Sequence, residues 1–135
     1  MRERVRMAQE LHGRGYNCCQ AVLCAYADTD NIDEKTLFKI GEGFGAGMGN
    51  MNGICGALSA AIIIAGLRIS AGEIALPPTK AETYEISALI NESFKEKVGS
   101  LRCRDIKGTD TGVPLRSCSG CIEDAVNIID EVLFG

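Results

Sequence analysis

The sequence predicts an all-α fold, a compact multi-helix bundle of about five to six helices, and three observations carry that expectation. Apolar residues recur at helical spacing in the longest periodic segments, above all Cys118, Cys121, Ile122, Ala125, Val126, Ile129, Val132 and Leu133. That spacing is the i, i+3, i+4, i+7 pattern of a helix with one buried face. Asn17 with Gln20, and Asn31 with Glu34, have the spacing of a capping box, in which each side chain bonds the other residue's backbone N–H. No segment reads as a convincing strand, and neither an internal repeat nor a low-complexity tail interrupts the pattern.

Taken in order, residues 2–13 form a charged first helix. Asn17 caps a second that runs to about Asp28 and turns Val22, Leu23 and Tyr26 inward. A third, capped by Asn31, carries Leu37 and Ile40 and stops at Gly41. The run Gly41, Gly43, Gly45, Gly47, Gly49 and Gly53 then leads into a buried helix over residues 53–69. Pro77-Pro78 breaks the chain, because proline lacks the N–H a helix needs. An amphipathic helix follows from about Thr79 to Val98, with Ile86, Leu89, Ile90, Phe94 and Val98 inward and Glu82, Glu85, Glu92 and Glu96 as its solvated face. A short segment holds Leu101, Cys103 and Ile106, and residues 107–117 are loop. The last helix spans Cys118 to Leu133, with Glu123 and Asp124 placed to favour its positive N-terminus.

The chain of 135 residues is long enough for a full core, and residues 1–135 are expected to make a single domain. A hydrophobic content of 46% with 24% charged residues is ordinary for a soluble globular protein. The net charge of −4 and the lack of a basic block argue against a nucleic-acid partner. Residues 1–7 have no apolar signal-peptide core, and the run from Ile54 to Leu67 is shorter than the roughly 20 residues of a membrane span. The expected location is cytoplasmic, without membrane insertion.

Seven cysteines in such a chain point to chemistry, since a reducing compartment disfavours structural disulfides and an odd count fits a disulfide scaffold poorly. Cys18, Cys55 and Cys118 fall at expected helix starts, where free N–H groups and the helix dipole favour a thiolate. Cys118-Ser-Gly-Cys121 has the spacing of a thiol–disulfide pair, although it lacks the βαβ context of thioredoxin. Both cysteines lie on the core-facing side of their helix, so inert packing and a role as ligands stay equally open. Cys24 reads as a packing residue and Cys19 is undecided. His12 is the only histidine, hence the only base for a Cys/His dyad, and is expected at the end of the first helix, outside a site. Gly45, Gly47, Gly49 and Gly53 are the candidates to line a cofactor, by cradling an anion or by directing N–H groups at cluster sulfurs. Close packing of two helices explains them as well. No window fits a dinucleotide fingerprint or a P-loop.

Asn17-Cys18-x-Gln20-Ala21-Val22, Gly53-Ile-Cys55-Gly56-Ala57, Leu101-x-Cys103-Arg104-Asp105 and Cys118-x-x-x-Ile122-x-Asp124-Ala125 together resemble the C_GCAxxG_C_C family, whose expected activity is redox chemistry. One departure is Ala60, which stands where the central motif ends in glycine. The resemblance implies that Cys18, Cys55, Cys103 and Cys118 are the family's four cysteines, with Cys19, Cys24 and Cys121 additional. A similar cysteine-rich domain in split-Soret cytochromes is associated with an iron–sulfur centre. That similarity implies an iron–sulfur cluster on the four thiolates, with zinc as the alternative. The implied function is a small redox protein in electron transfer or redox sensing, working with a redox partner protein. Two other readings compete. One is a metal-free thiol–disulfide protein using Cys118 and Cys121, or Cys18 and Cys55. The other is a non-enzymatic helical binding module with buried cysteines, expected as a homodimer.

Overall fold

The computed structural model describes residues 2–75 and 79–135, and its regular structure is helical. Among these residues no strand forms; an isolated antiparallel bridge joins Ile54 to Arg102. The all-α expectation holds, but there are more elements than anticipated, because the expected second helix divides and short helical turns form in the glycine run and at residues 103–107. Pro77 and Pro78, read above as the chain break, lie outside the described residues.

Helix α1 spans Arg2–Gly13 and ends with His12 in its last turn. Helix α2, Cys18–Ala25, starts with the expected capping box: the Asn17 side chain accepts from the Gln20 N–H at 2.8 Å, and Gln20 Oε1 accepts from the Asn17 N–H at 2.9 Å. Val22, Leu23 and Tyr26 are buried as expected. The helix nevertheless stops at Tyr26, whose hydroxyl donates to Asp130 Oδ1 at 2.8 Å, and a single turn, α3 (Ala27–Asp30), follows. Asn31 does not cap the next helix. It takes the left-handed conformation that closes α3, which a short polar side chain tolerates. Asp33 caps α4 (Glu34–Glu42) instead, accepting from the Thr36 N–H at 3.1 Å. The chain continues helically through Gly41, which is buried against Gln20.

The glycine run contains α5 (Gly45–Met48), a turn interrupted by left-handed Ala46 and Gly47 rather than a regular helix. Helix α6, Gly56–Ile69, begins three residues later than expected, with Cys55 as its N-cap. Residues 53–55 are committed elsewhere: the Cys55 N–H donates to the Leu101 carbonyl at 2.8 Å and the Cys103 N–H to the Gly53 carbonyl at 3.0 Å. Helix α7 (Lys80–Val98) buries Ile90, Phe94 and Val98, but Leu89, expected inward, is 45% exposed. Helix α8 (Cys103–Lys107) is short, and α9 (Cys118–Leu133) buries Cys121, Ile122, Ala125, Val126, Ile128 and Ile129.

Helix α2 lies at the centre, packed against α1, α4 and α6, while α9 closes the bundle against α1, α6 and α7. The largest fully buried side chains include Leu23, Leu58, Ile64, Phe94 and Ile122. Burying each of them contributes roughly 1.5–3 kcal/mol. Among the described residues no helix is long and apolar enough to cross a membrane.

Candidate functional site

Five cysteines from four segments of the chain line one cavity of about 40 Å³. Cys18 opens α2, Cys55 caps α6, Cys103 opens α8 and Cys118 opens α9; Cys121 follows one turn into α9. Ser117 caps α9 by accepting from the Gly120 N–H at 2.9 Å, which fixes Cys118 at the first turn. Gly47, Gly56, Ile106, Lys107 and Arg116 also border the cavity.

Local backbone chemistry brings these segments together. The hydrogen bonds that pair residues 53–55 with 101–103 set Cys55 beside Cys103. Gly47 has φ +57 and lies against Cys103, where an added Cβ would overlap the Cys103 Cβ and sit 3.3 Å from its sulfur. Gly56 brings the start of α6 onto α2: a Cβ there would meet the Cys19 N at 3.1 Å and the Cys18 Cβ at 3.5 Å. Both positions need the side-chain-free backbone of glycine.

Four of the thiols are shifted in two opposed pairs, one raised and one lowered in each. Cys18 donates toward Cys118, and this bond lowers the Cys118 thiol to about 5 against the cost of burial; Lys107 and His12 lower it further. The same bond raises Cys18, which keeps its proton. Cys121 donates toward Cys55 and lowers it to about 7, again against burial and helped by the Leu58 and Ala57 N–H groups at the start of α6. Cys121 is raised in return. Cys103 is raised by burial, with Lys107 opposing. These pairs cross between helices, whereas the anticipated pairs were Cys118 with Cys121 and Cys18 with Cys55.

The other cysteines are packing residues. Cys19 is fully enclosed, and burial raises its thiol to about 12. Cys24 is raised by burial to about 11 and donates to the Glu34 carbonyl at 3.7 Å. Of the four glycines expected to line a cofactor, Gly47 borders the cavity. Gly45 lies against the Asn17 side chain, Gly53 against Met48, and Gly49 makes a left-handed turn at φ +89. Close packing therefore accounts for two of the four.

Three residues at this site escaped the sequence reading. His12 does end α1, but its Nε2 stands 3.9 Å from the Cys18 sulfur. Lys107 and Arg116 lie in a segment read only as loop. Arg116 is held by Asp124, through contacts of 2.9 and 3.1 Å, and by Glu123 at 3.3 Å. A basic residue beside each of two acidic ones at the start of α9 was the available signal.

Among the described residues no three His, Cys, Asp or Glu side chains stand together as ligands for one metal ion. A cluster spreads its thiolate ligands over several iron atoms, so the donors need to share a cavity rather than a point.

Comparison with known proteins gives one match. A family model described as "Putative redox-active protein (C_GCAxxG_C_C)" matches residues 16–132, a span that includes all seven cysteines and leaves out α1 with His12. No curated protein and no solved structure matches the chain.

Proposed function

The chain belongs to the C_GCAxxG_C_C family of redox-active proteins, and from that premise we propose that it holds an iron–sulfur cluster on Cys18, Cys55, Cys103 and Cys118. The observation that carries this reading is that these four thiols, far apart in sequence, line one cavity. When bound, such a cluster supplies one-electron transfer, for relay to a partner protein or for sensing. The protein's own residues supply the environment. The first turns of α2 and α9 and the Lys107 ammonium offset the charge of the thiolates. Cys55 and Cys103 are nearly enclosed, which limits access of water and oxygen. Zinc is the weaker alternative, since it needs four donors around one point at about 2.0–2.3 Å.

Anaerobic reconstitution with ferrous iron and sulfide tests the reading. We expect a brown protein carrying both elements, and iron content lowered at least about tenfold in Cys55→Ser and Cys103→Ser. A colourless, iron-free protein would overturn it.

A second reading has its own observation, the Cys18–Cys118 pair with its lowered thiol. In a metal-free protein the Cys118 thiolate attacks one sulfur of a substrate disulfide and releases a thiolate; Cys18 then displaces the second, leaving the pair oxidised. Reversible reduction of a model disulfide by metal-free protein, abolished in Cys118→Ser, distinguishes it from the cluster reading.

A further inference from the structure

We propose that the thiol cavity opens on its Cys18–Cys118 side and that Lys107 makes this mouth selective for small anions that react with thiols or bind to them. The selection goes beyond both readings above, since it acts on what reaches the sulfurs, whether they then hold a cluster or form a disulfide. The five thiols differ in depth. Cys55, Cys103 and Cys121 are 7%, 6% and 1% exposed, whereas Cys18 and Cys118 are half-buried. A reactant arriving from solvent therefore meets Cys18 and Cys118 first. Lys107 and Ala46 are the exposed members of the same lining, so they belong to the mouth as well.

The lining is cationic although the chain is not. It carries Lys107 and Arg116 and no carboxylate, in a sequence with 18 acidic and 14 basic residues. The two cations are not equivalent. Arg116 lies across the first turn of α9, where a Cβ on Gly120 would meet its Cζ at 2.7 Å, and Asp124 and Glu123 match its charge. Lys107 makes no ion pair among the described residues. The carboxylates nearest to it in sequence are engaged elsewhere. Asp105 accepts from the Ser100 hydroxyl at 3.2 Å, and Asp110 pairs with Arg104 at 3.2 Å. Lys107 thus carries the uncompensated positive charge of the lining.

Size restricts the class further. A cavity of about 40 Å³ has room for on the order of three waters. The reacting end is therefore a group of a few heavy atoms, such as a carboxymethyl group or a hydrosulfide ion. Apolar walls focus the field of a single cation and raise the local concentration of anions. For a unit negative charge about 4 Å from the ammonium, even water-like screening leaves an attraction worth about fivefold in rate.

The test compares anionic iodoacetate with neutral iodoacetamide on reduced, metal-free protein, following alkylation of Cys118 by mass spectrometry of a digest. In both reactions the thiolate sulfur bonds the methylene carbon and iodide leaves. The two reagents consume the same thiolate, so the ratio of their rates is independent of how much thiolate is present and reports the charge at the mouth. The iodoacetate-to-iodoacetamide ratio is expected to be about fivefold higher in the folded protein than in the same protein unfolded in urea. It should fall back toward the unfolded value in about 1 M salt. Lys107→Gln is expected to abolish the preference, Lys107→Glu to reverse it and Lys107→Arg to keep it. A wild-type ratio no higher than in urea would overturn the proposal. So would a preference that survives Lys107→Gln, or one that is lost instead in His12→Gln, whose imidazole stands 3.9 Å from the Cys18 sulfur in the wild type.

Discussion

Cys18 and Cys19 are consecutive in α2, yet Cys18 borders the cavity with His12 at 3.9 Å, while Cys19 is sealed in the core with no exposed surface. One step along a helix turns a side chain by about 100°, enough to exchange one region of the molecule for the other. On the cavity side the thiols meet one another, helix N-termini and the cations Lys107 and Arg116. On the core side Cys19 and Cys24 are raised chiefly by burial. The difference teaches that cysteine density alone says little: the surroundings of each sulfur separate a reactive thiol from a small apolar one.

The largest expected contrast is in thiol reactivity. In metal-free protein, alkylation of Cys118 should be half-maximal near pH 5, and that of Cys24 and Cys19 near 11 and 12. At pH 7 the thiolate fractions of Cys118 and Cys19 then differ by about five orders of magnitude. Residue-resolved mass spectrometry checks this, and a Cys118 midpoint near the ordinary thiol value of 9.0 would erase the comparison. The stability linkage has opposite signs in the two regions. The lowered Cys118 stabilises the fold above pH 9.0 and loses that contribution as pH falls through about 5. The raised Cys19 contributes below 9.0 and loses it as pH rises through about 12.

A smaller effect comes from the cavity wall. Gly47→Ala forces a methyl onto Cys103 from a left-handed backbone and should lower stability by about 3 kcal/mol in urea unfolding. A loss under about 1 kcal/mol would mean that the wall yields and the cavity is not rigidly built. Smaller again is the effect on the core side. Cys19→Ser buries a hydroxyl among apolar side chains at a cost of about 2 kcal/mol. Cys24→Ser should cost below about 1 kcal/mol, because the Glu34 carbonyl already accepts from that position. Equal losses at the two sites would show that burial alone decides them.

The sequence carried the helices well wherever a local device set them. Asn17 and Gln20 announced their capping box, and the apolar face of α9 was readable from its spacing. Boundaries set by distant contacts were not readable. Tyr26 stands at the end of α2 with its hydroxyl on Asp130, and α6 starts at Gly56 after residues 53–55 pair with 101–103. Asn31 and Asp33 are both good capping residues, and only the left-handed turn at Asn31 decides between them. At the site, helical spacing put Cys121 on an inner face without saying which thiol it meets. His12 stood out as the only histidine, but its approach to Cys18 depends on how α1 docks against α2 and was not readable.

The Cys18–Cys118 pair also bears on the order in which the molecule assembles. It joins the first turns of α2 and α9, two helices separated by most of the chain, and the Tyr26–Asp130 bond joins the same two helices. Contacts so distant in sequence carry the greatest loop-closure entropy and form late in folding. A partly folded chain with α9 still undocked has Cys18, Cys55 and Cys103 but neither Cys118 nor Cys121 in place. Completion of the cavity thus doubles as a checkpoint: all five thiols share one space only once α9 has docked.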